Sequence, residues 1–295
     1  MIQKVAGLLR CFYQQLSRQI LMQTISEQLD GDYYYRSWPV HGNVKAVVVL
    51  VHGLGEHCQR YDALANYLGN QGYAVCGMDL PSHGNSSGTP GHINRFSQFS
   101  DAVLSLYART RAIYPDLPVF LLGHSMGGLI SANLLLDHQD KFRGALLSSA
   151  AIQSPQEPPA WQVSIIKAIA AILPKTPVLA LDASGISRDP AVVEAYMCDP
   201  LVSKSKLSAR FLLGLRQTMD RVLAEASQIT LPILIMHGGA DVMTAPEGSE
   251  KLFSCVASQD KQLKIYPGLY HEIFNEPEAE SVYADVLAWL DAHTS

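Results

Sequence analysis

Residues 119–128 read Val119-Phe120-Leu121-Leu122-Gly123-His124-Ser125-Met126-Gly127-Gly128. A short apolar run ends in Gly-x-Ser-x-Gly, and a mostly apolar stretch continues to His138. That is the pattern of a buried strand, a sharp turn and a helix. Glycine at 123 and 127 suits a turn too crowded for side chains at those positions. Ser125, at the apex, would stand exposed at a helix N-terminus. There the helix dipole and the Met126 amide favour a developing oxyanion. The stretch predicts a serine nucleophile and a sheet that presents it.

The flanking sequence supplies that sheet. Val44–Val51, VKAVVVLV, is rich in β-branched residues and suits a parallel strand buried on both faces. A helix over Tyr61–Gln71, a strand over Tyr73–Met78 and a helix around Phe99–Tyr114 follow. Next come the strand from Val119, a helix over Gly127–His138 and a strand over Gly144–Ser148. This alternation predicts an α/β fold with a mostly parallel central sheet. The rhythm breaks after Ala151. Gln153–Pro159 is proline-rich, Trp161–Leu173 is an apolar helical stretch ended by Pro174, and another helix lies near Phe211–Glu225. Strands at Ile233–Met236 and Leu263–Tyr266 and a closing helix over Ser281–Ala292 resume the pattern. Residues 152–228 are therefore expected to be an insertion between two parts of one core, 41–151 and 229–295.

A serine hydroxyl needs a base held by a third group. In α/β-hydrolases the chain order is Ser, then Asp or Glu, then His. Strand Ile233–Met236 runs into His237-Gly-Gly-Ala-Asp241, and the next strand into Pro267-Gly-Leu-Tyr-His271. Each puts a polar residue just past the carboxyl end of a strand, where such sheets carry their sites. Asp241 is expected to orient His271, and His271 to deprotonate Ser125. His237 competes as base and Glu272 as acid. Asp79, which precedes Ser125 in the chain, reads as structural.

The loop His52-Gly-Leu-Gly-Glu-His57 lies between the first of these strands and the next helix. That is where the second oxyanion donor arises, and it must be a backbone N–H. Leu54 N–H is expected to act with Met126 N–H. His52 and His57 as metal ligands, or Glu56 and His57 as acid and base, are the competing readings. Their spacing within a glycine-rich loop favours turn and supporting roles.

These residues resemble the monoacylglycerol lipase and lysophospholipase family of serine α/β-hydrolases. The likeness is carried by HGLGEH followed by Arg60-Tyr61, Asp79-Leu-Pro-Ser-His-Gly with Ser86 and Gly88, and Gly91-His92-Ile93 with Phe96. GHSMGG, Asp199-Pro-Leu-Val, HGGAD and YHEIFNE complete it, in order over residues 44–295. The resemblance implies an α/β-hydrolase fold with a helical lid over an apolar acyl channel. It implies Ser125, Asp241 and His271 as the triad and Leu54 and Met126 as oxyanion donors. The expected reaction is hydrolysis of a single-chain lipid ester, foremost a monoacylglycerol, with no cofactor or metal. A lysophospholipase or short-chain esterase is the alternative, and a non-catalytic ligand receptor of the same fold is a third reading.

Composition fits this. Charged residues make up 17% and hydrophobic residues 48%, as in a globular chain. The net charge of −5, without a long basic run, disfavours nucleic acid as a partner. Five cysteines without CxxC suit a reducing, cytoplasmic setting. Residues 1–29 carry apolar residues at roughly helical spacing with Lys4, Arg10 and Arg18. They predict an N-terminal amphipathic helical extension over 1–40, docked on the domain or lying on a membrane surface. The lid is the second candidate for membrane contact.

Overall fold

The computed structural model describes residues 25–29, 32–38, 40, 42–180 and 182–294. Strand β3 (Ala46–Val51) is buried along its whole length. Its alternate side chains serve two cores. Val47, Val49 and Val51 face one, and Val48 and Leu50 face the other. This is why the run is continuously apolar rather than alternating. Strands β4 (Tyr73–Met78), β5 (Val119–His124) and β6 (Gly144–Ser148) are buried in the same way. Strands β9 (Ile233–Gly238) and β10 (Lys261–Tyr266) extend the parallel array to one edge. With β1 (Ile25–Leu29) and β2 (Tyr33–Ser37) at the other edge, the eight-stranded order is β1-β2-β4-β3-β5-β6-β9-β10.

Helices α1 (Asp62–Asn70) and α8 (Ala279–His293) cover one face. Leu64, Leu68, Val286 and Leu290 share a core with Val48 and Leu50. Helices α2 (Ser97–Ile113) and α3 (Met126–His138) cover the other with Phe99, Leu106, Leu129 and Ile130. Helix α7 (Pro246–Cys255) contributes Leu252 to that same core. A mostly parallel sheet between two helical layers is the α/β-hydrolase arrangement expected from the sequence.

The N-terminal expectation requires correction. Residues read as part of a helical extension over 1–40 form strands β1 (Ile25–Leu29) and β2 (Tyr33–Ser37). These pair antiparallel, and β2 pairs antiparallel with β4. The reason is visible in Tyr33-Tyr34-Tyr35, since aromatic residues favour a pleated, half-buried surface. Tyr35 is buried in the core. Residues 1–24, the rest of that expected helix, lie outside the described residues.

Between β6 and β9 the chain makes α4 (Ala160–Ile172), β7 (Pro177–Leu179), α5 (Pro190–Cys198), β8 (Leu207–Ser208) and α6 (Ala209–Glu225). Strands β7 and β8 form a small separate antiparallel pair. Helix α6 buries Phe211 and Val222 in the main core, whereas α4 buries only Ala170. The early part of the segment thus sits on the core, and its last helix belongs to it.

Candidate active site

Four strand ends converge on one cavity. Ser125 follows β5 directly and begins α3, with φ 54° and ψ −120°. That left-handed conformation is costly for a residue with a Cβ. It is held by Ser125 N–H to Ser148 O at 2.9 Å and by Ala151 N–H to Ser125 O at 2.9 Å. The flanking glycines are needed for close approach. A Cβ on Gly127 would lie 2.2 Å from Val51 O, and one on Gly123 would lie 2.4 Å from Gly127 O.

His271, past β10, presents Nε2 to Ser125 Oγ at 2.8 Å. Its Nδ1 lies 2.7 Å from Asp241 Oδ2. Ser125, His271 and Asp241 therefore form one hydrogen-bonded line, 146 and 30 residues apart in the chain. Asp241 Oδ1 accepts the Met243 and Thr244 N–H groups at 2.7 and 3.1 Å. Its Oδ2 also takes His237 Nε2–H at 3.0 Å, and Thr244 Oγ1 lies 2.8 Å away. Burial opposes the charge on Asp241, but the hydrogen bonds from His237 and His271 overcome it. They hold the carboxyl well below the usual carboxylate range. Asp241 is thus an anion that fixes Nδ1–H on His271 and leaves Nε2 to accept from Ser125.

His237 does not reach Ser125. Its Nε2 faces Asp241, and its Nδ1 lies 2.7 Å from Ser249 Oγ on α7. Glu272 is engaged elsewhere, with Arg60 Nη2 at 2.5 Å. Asp79 accepts Cys58 N–H at 2.9 Å and Asn85 N–H at 2.8 Å, bracing two loops. His124, under the turn, is pushed down to about 3 by burial and by nearby His271, and it is neutral at ordinary pH.

The loop after β3 is organised by its backbone. Leu80 N–H donates to His52 Nε2 at 2.8 Å, so the ring proton sits on Nδ1, 2.8 Å from Gly53 O. Glu56 Oε1 accepts Gly53 N–H at 2.5 Å and Tyr61 O–H at 2.7 Å. His57 pairs with Asp199 at 2.8 Å. Gly53, Leu54, Ser125, Met126 and His271 line one cavity of about 850 Å³. The rest of its wall is mostly apolar, with Ile166, Ile169, Leu207, Leu213, Leu215 and Met219 among the contributors.

Comparison with known proteins agrees with this geometry. A family model described as serine aminopeptidase, S33, matches residues 42–278. A monoacylglycerol lipase of Mycolicibacterium smegmatis is 38% identical, covering 88% of this chain and 92% of that one. The mouse monoglyceride lipase is 36% identical over 88% of each. The chain belongs to the monoacylglycerol lipase family of serine hydrolases. A crystal structure of the Paleococcus ferrophilus monoacylglycerol lipase superposes with a TM-score of 0.81 at 33% identity. It covers 89% of this chain and 99% of that one.

In this member of the lipase family, a second set of residues ties the segment between β6 and β9 to the site. The Arg60 guanidinium is bound between Glu56 (3.1 Å) and Glu272 (2.5 Å), and it sits 4.6 Å from the ring centre of Tyr196 on α5. Ser203 N–H donates to Gly55 O and Glu272 N–H to Ile186 O. Sequence reasoning marked Arg60 and Asp199 as family signatures without a role, and it read Glu56 as a turn and supporting residue, which is how its hydrogen bonds to Gly53 and Tyr61 place it. It missed Thr244, although an Asp three residues before a Thr is a readable turn signal. It also missed Ser249, which meets His237 from the next helix, and Tyr196, whose partner Arg60 is distant in the chain.

Proposed function

We propose that the chain is a carboxylester hydrolase acting on monoacylglycerols, with Ser125, His271 and Asp241 as its catalytic residues. The observation that carries this reading is the Asp241–His271–Ser125 line opening into an apolar cavity large enough for an acyl chain. Ser125 Oγ attacks the ester carbonyl while its proton passes to His271 Nε2. The tetrahedral oxyanion is held by the Leu54 and Met126 N–H groups, since Gly53 N–H is already taken by Glu56. Collapse breaks the C–O bond, and glycerol leaves with the proton from His271. A water, deprotonated by His271, then attacks the acyl-enzyme. The free fatty acid departs, and the proton returns to Ser125.

The segment from α4 to residue 203 acts as the lid in this reading. Trp161, Ile165, Ile172 and Leu173 on or just past α4 are exposed, which supports contact between the lid and a lipid surface. No helix among the described residues is long and apolar enough to cross a membrane. An aminopeptidase activity has less support, because a free α-ammonium needs a carboxylate. The two glutamates lining the cavity, Glu56 and Glu272, are both paired with Arg60.

The test is kcat/KM over a panel of monoacylglycerols, lysophospholipids, p-nitrophenyl esters and aminoacyl amides, with Ser125→Ala beside the wild type. Monoacylglycerols should rank first, and the variant should be inactive against every ester. Full activity of Ser125→Ala would remove the assignment, and a higher ranking of any other class would replace the substrate.

A further inference from the structure

A second cavity, of about 580 Å³, opens on the opposite side of the α4–α6 contact. Its wall carries four cations, Arg95, Lys167, Arg210 and Arg221, and no carboxylate. Asp137 and Glu225, which do not line it, neutralise Arg221. Arg95, Lys167 and Arg210 have no ion-pair partner among the described residues. Arg210 spends Nη2 on Ala170 O at 3.0 Å, while its Nε is buried without a hydrogen-bond partner. Asn94, Ser97 and Thr218 add neutral hydrogen-bonding groups to the same wall. On a chain of net charge −5, three unneutralised cations around one cleft are not the average surface.

The neighbourhood of this cleft is apolar. Ala170 and Ala171 of α4 form part of its wall, and the next two residues, Ile172 and Leu173, are 79% and 62% exposed. Leu213 lines both this cleft and the acyl cavity, so the two lie back to back across one side chain. Cations beside exposed apolar side chains suit an amphiphile with an anionic head, not a small free anion. We propose that this cleft is a binding site for the phosphate of an anionic phospholipid, and that it seats the cap on a negatively charged bilayer. The phosphodiester would lie among Arg95, Lys167 and Arg210, with Ile172 and Leu173 entering the acyl region of the leaflet.

The proposal is independent of the serine chemistry, because binding is read without turnover. Full-length protein is co-sedimented with vesicles of phosphatidylcholine alone and of phosphatidylcholine mixed with phosphatidylglycerol. Wild type should prefer the anionic vesicles. Each cation near an anionic leaflet contributes roughly fivefold, so Arg95→Gln/Lys167→Gln should bind them roughly 25-fold more weakly. Its hydrolysis of a soluble short-chain ester should be unchanged. Lys141→Gln/Lys251→Gln, with the same loss of charge away from the cleft, should bind nearly as wild type does. Loss of binding in both double variants would overturn the site in favour of net charge alone. No preference for phosphatidylglycerol would overturn the proposal, and so would inorganic phosphate titrating calorimetrically without that preference.

Discussion

His237 and His271 meet on a single oxygen: Asp241 Oδ2 lies 3.0 Å from Nε2 of the first and 2.7 Å from Nδ1 of the second. His237 is anchored in turn by Ser249 Oγ at 2.7 Å. A carboxylate fixed from both sides cannot swing away from His271. Replacing His237 with Leu removes one of three donors around the Oδ2 of a buried anion and strips Ser249 Oγ of its partner, a loss of about 1–3 kcal/mol. Expressed in the transition state, that lowers kcat roughly ten- to hundredfold, with KM for a soluble ester little changed. His237→Gln keeps a donor and should recover much of the loss. Removing the donor also makes Asp241 more basic, so the acidic limb of the kcat/KM profile should move to higher pH in His237→Leu. An unchanged profile with a proportional loss of folded protein would reduce His237 to a purely structural residue.

Arg60 is the only cation between the buried carboxylates of Glu56 and Glu272 among the ion pairs of the described residues. Burial raises the Glu272 carboxyl above its usual range even with Arg60 present, and the Glu56 charge adds to this. Without Arg60, two carboxylates would share a dry site and one would be forced to take a proton. Arg60→Gln should therefore destabilise the fold by about 3–5 kcal/mol at neutral pH. The sign of the pH effect follows from the raised carboxyl. Its stabilising contribution is complete below the unfolded value and is lost as pH rises through the folded value. The gap between Arg60→Gln and wild type in urea unfolding should shrink from pH 7 to pH 5. A gap that widened on acidification would contradict this reading of the pair.

The legible parts of the site were those that local pattern dictates. Ser125 and Asp241 follow the wholly buried strands β5 and β9, and His271 follows the polar–apolar alternating edge strand β10; a parallel sheet brings the carboxyl ends of its strands to one edge. The turn at Ser125 needs Gly123 and Gly127, so its geometry is written in adjacent residues. Contacts made over long distances left no such mark. Arg60 meets Glu272 across 212 residues, and His57 meets Asp199 across 142. The β1–β2 hairpin was hidden because roughly helical spacing upstream suggested a continuous helix, while β2 is fixed by pairing with β4. Helix α5 was missed because Val192 and Val193 weaken its helical pattern. Its start was still readable, since Asp189 caps Ala191 N–H and Pro190 follows as the first helical residue.

Acid should weaken the fold through histidines that are buried neutral. Burial pushes His83 down to about 4 and His124 to about 3, and it lowers His52 as well. Their unfolded values lie near 6.5. The unfolded chain therefore binds protons that the folded chain refuses, and stability falls as pH drops below about 6.5. By pH 5, His83 and His124 should each have cost about 2 kcal/mol. Urea unfolding at pH 7 and pH 5 measures this, and His83→Gln should flatten part of the dependence. Equal stability at the two pH values would mean that these rings are protonated in the folded protein.

The strained backbone at Ser125 makes a last prediction in which activity and stability separate. With φ 54° and ψ −120°, Ser125 occupies a region that glycine enters freely and other residues do not. The surrounding hydrogen bonds to Ser148 and Ala151 impose this conformation whatever the side chain. Ser125→Ala removes the hydroxyl proposed as nucleophile and keeps the strain, because its Cβ remains. Ser125→Gly removes both, at the cost of a more flexible unfolded chain. Relief of about 1–3 kcal/mol of strain exceeds that entropic cost of about 0.5–1 kcal/mol. Both variants should be inactive, but Ser125→Gly should unfold at a higher temperature than Ser125→Ala, by roughly 1 kcal/mol in matched calorimetry. A lower Tm for the glycine variant would mean that the turn is relaxed and that its conformation costs the fold nothing.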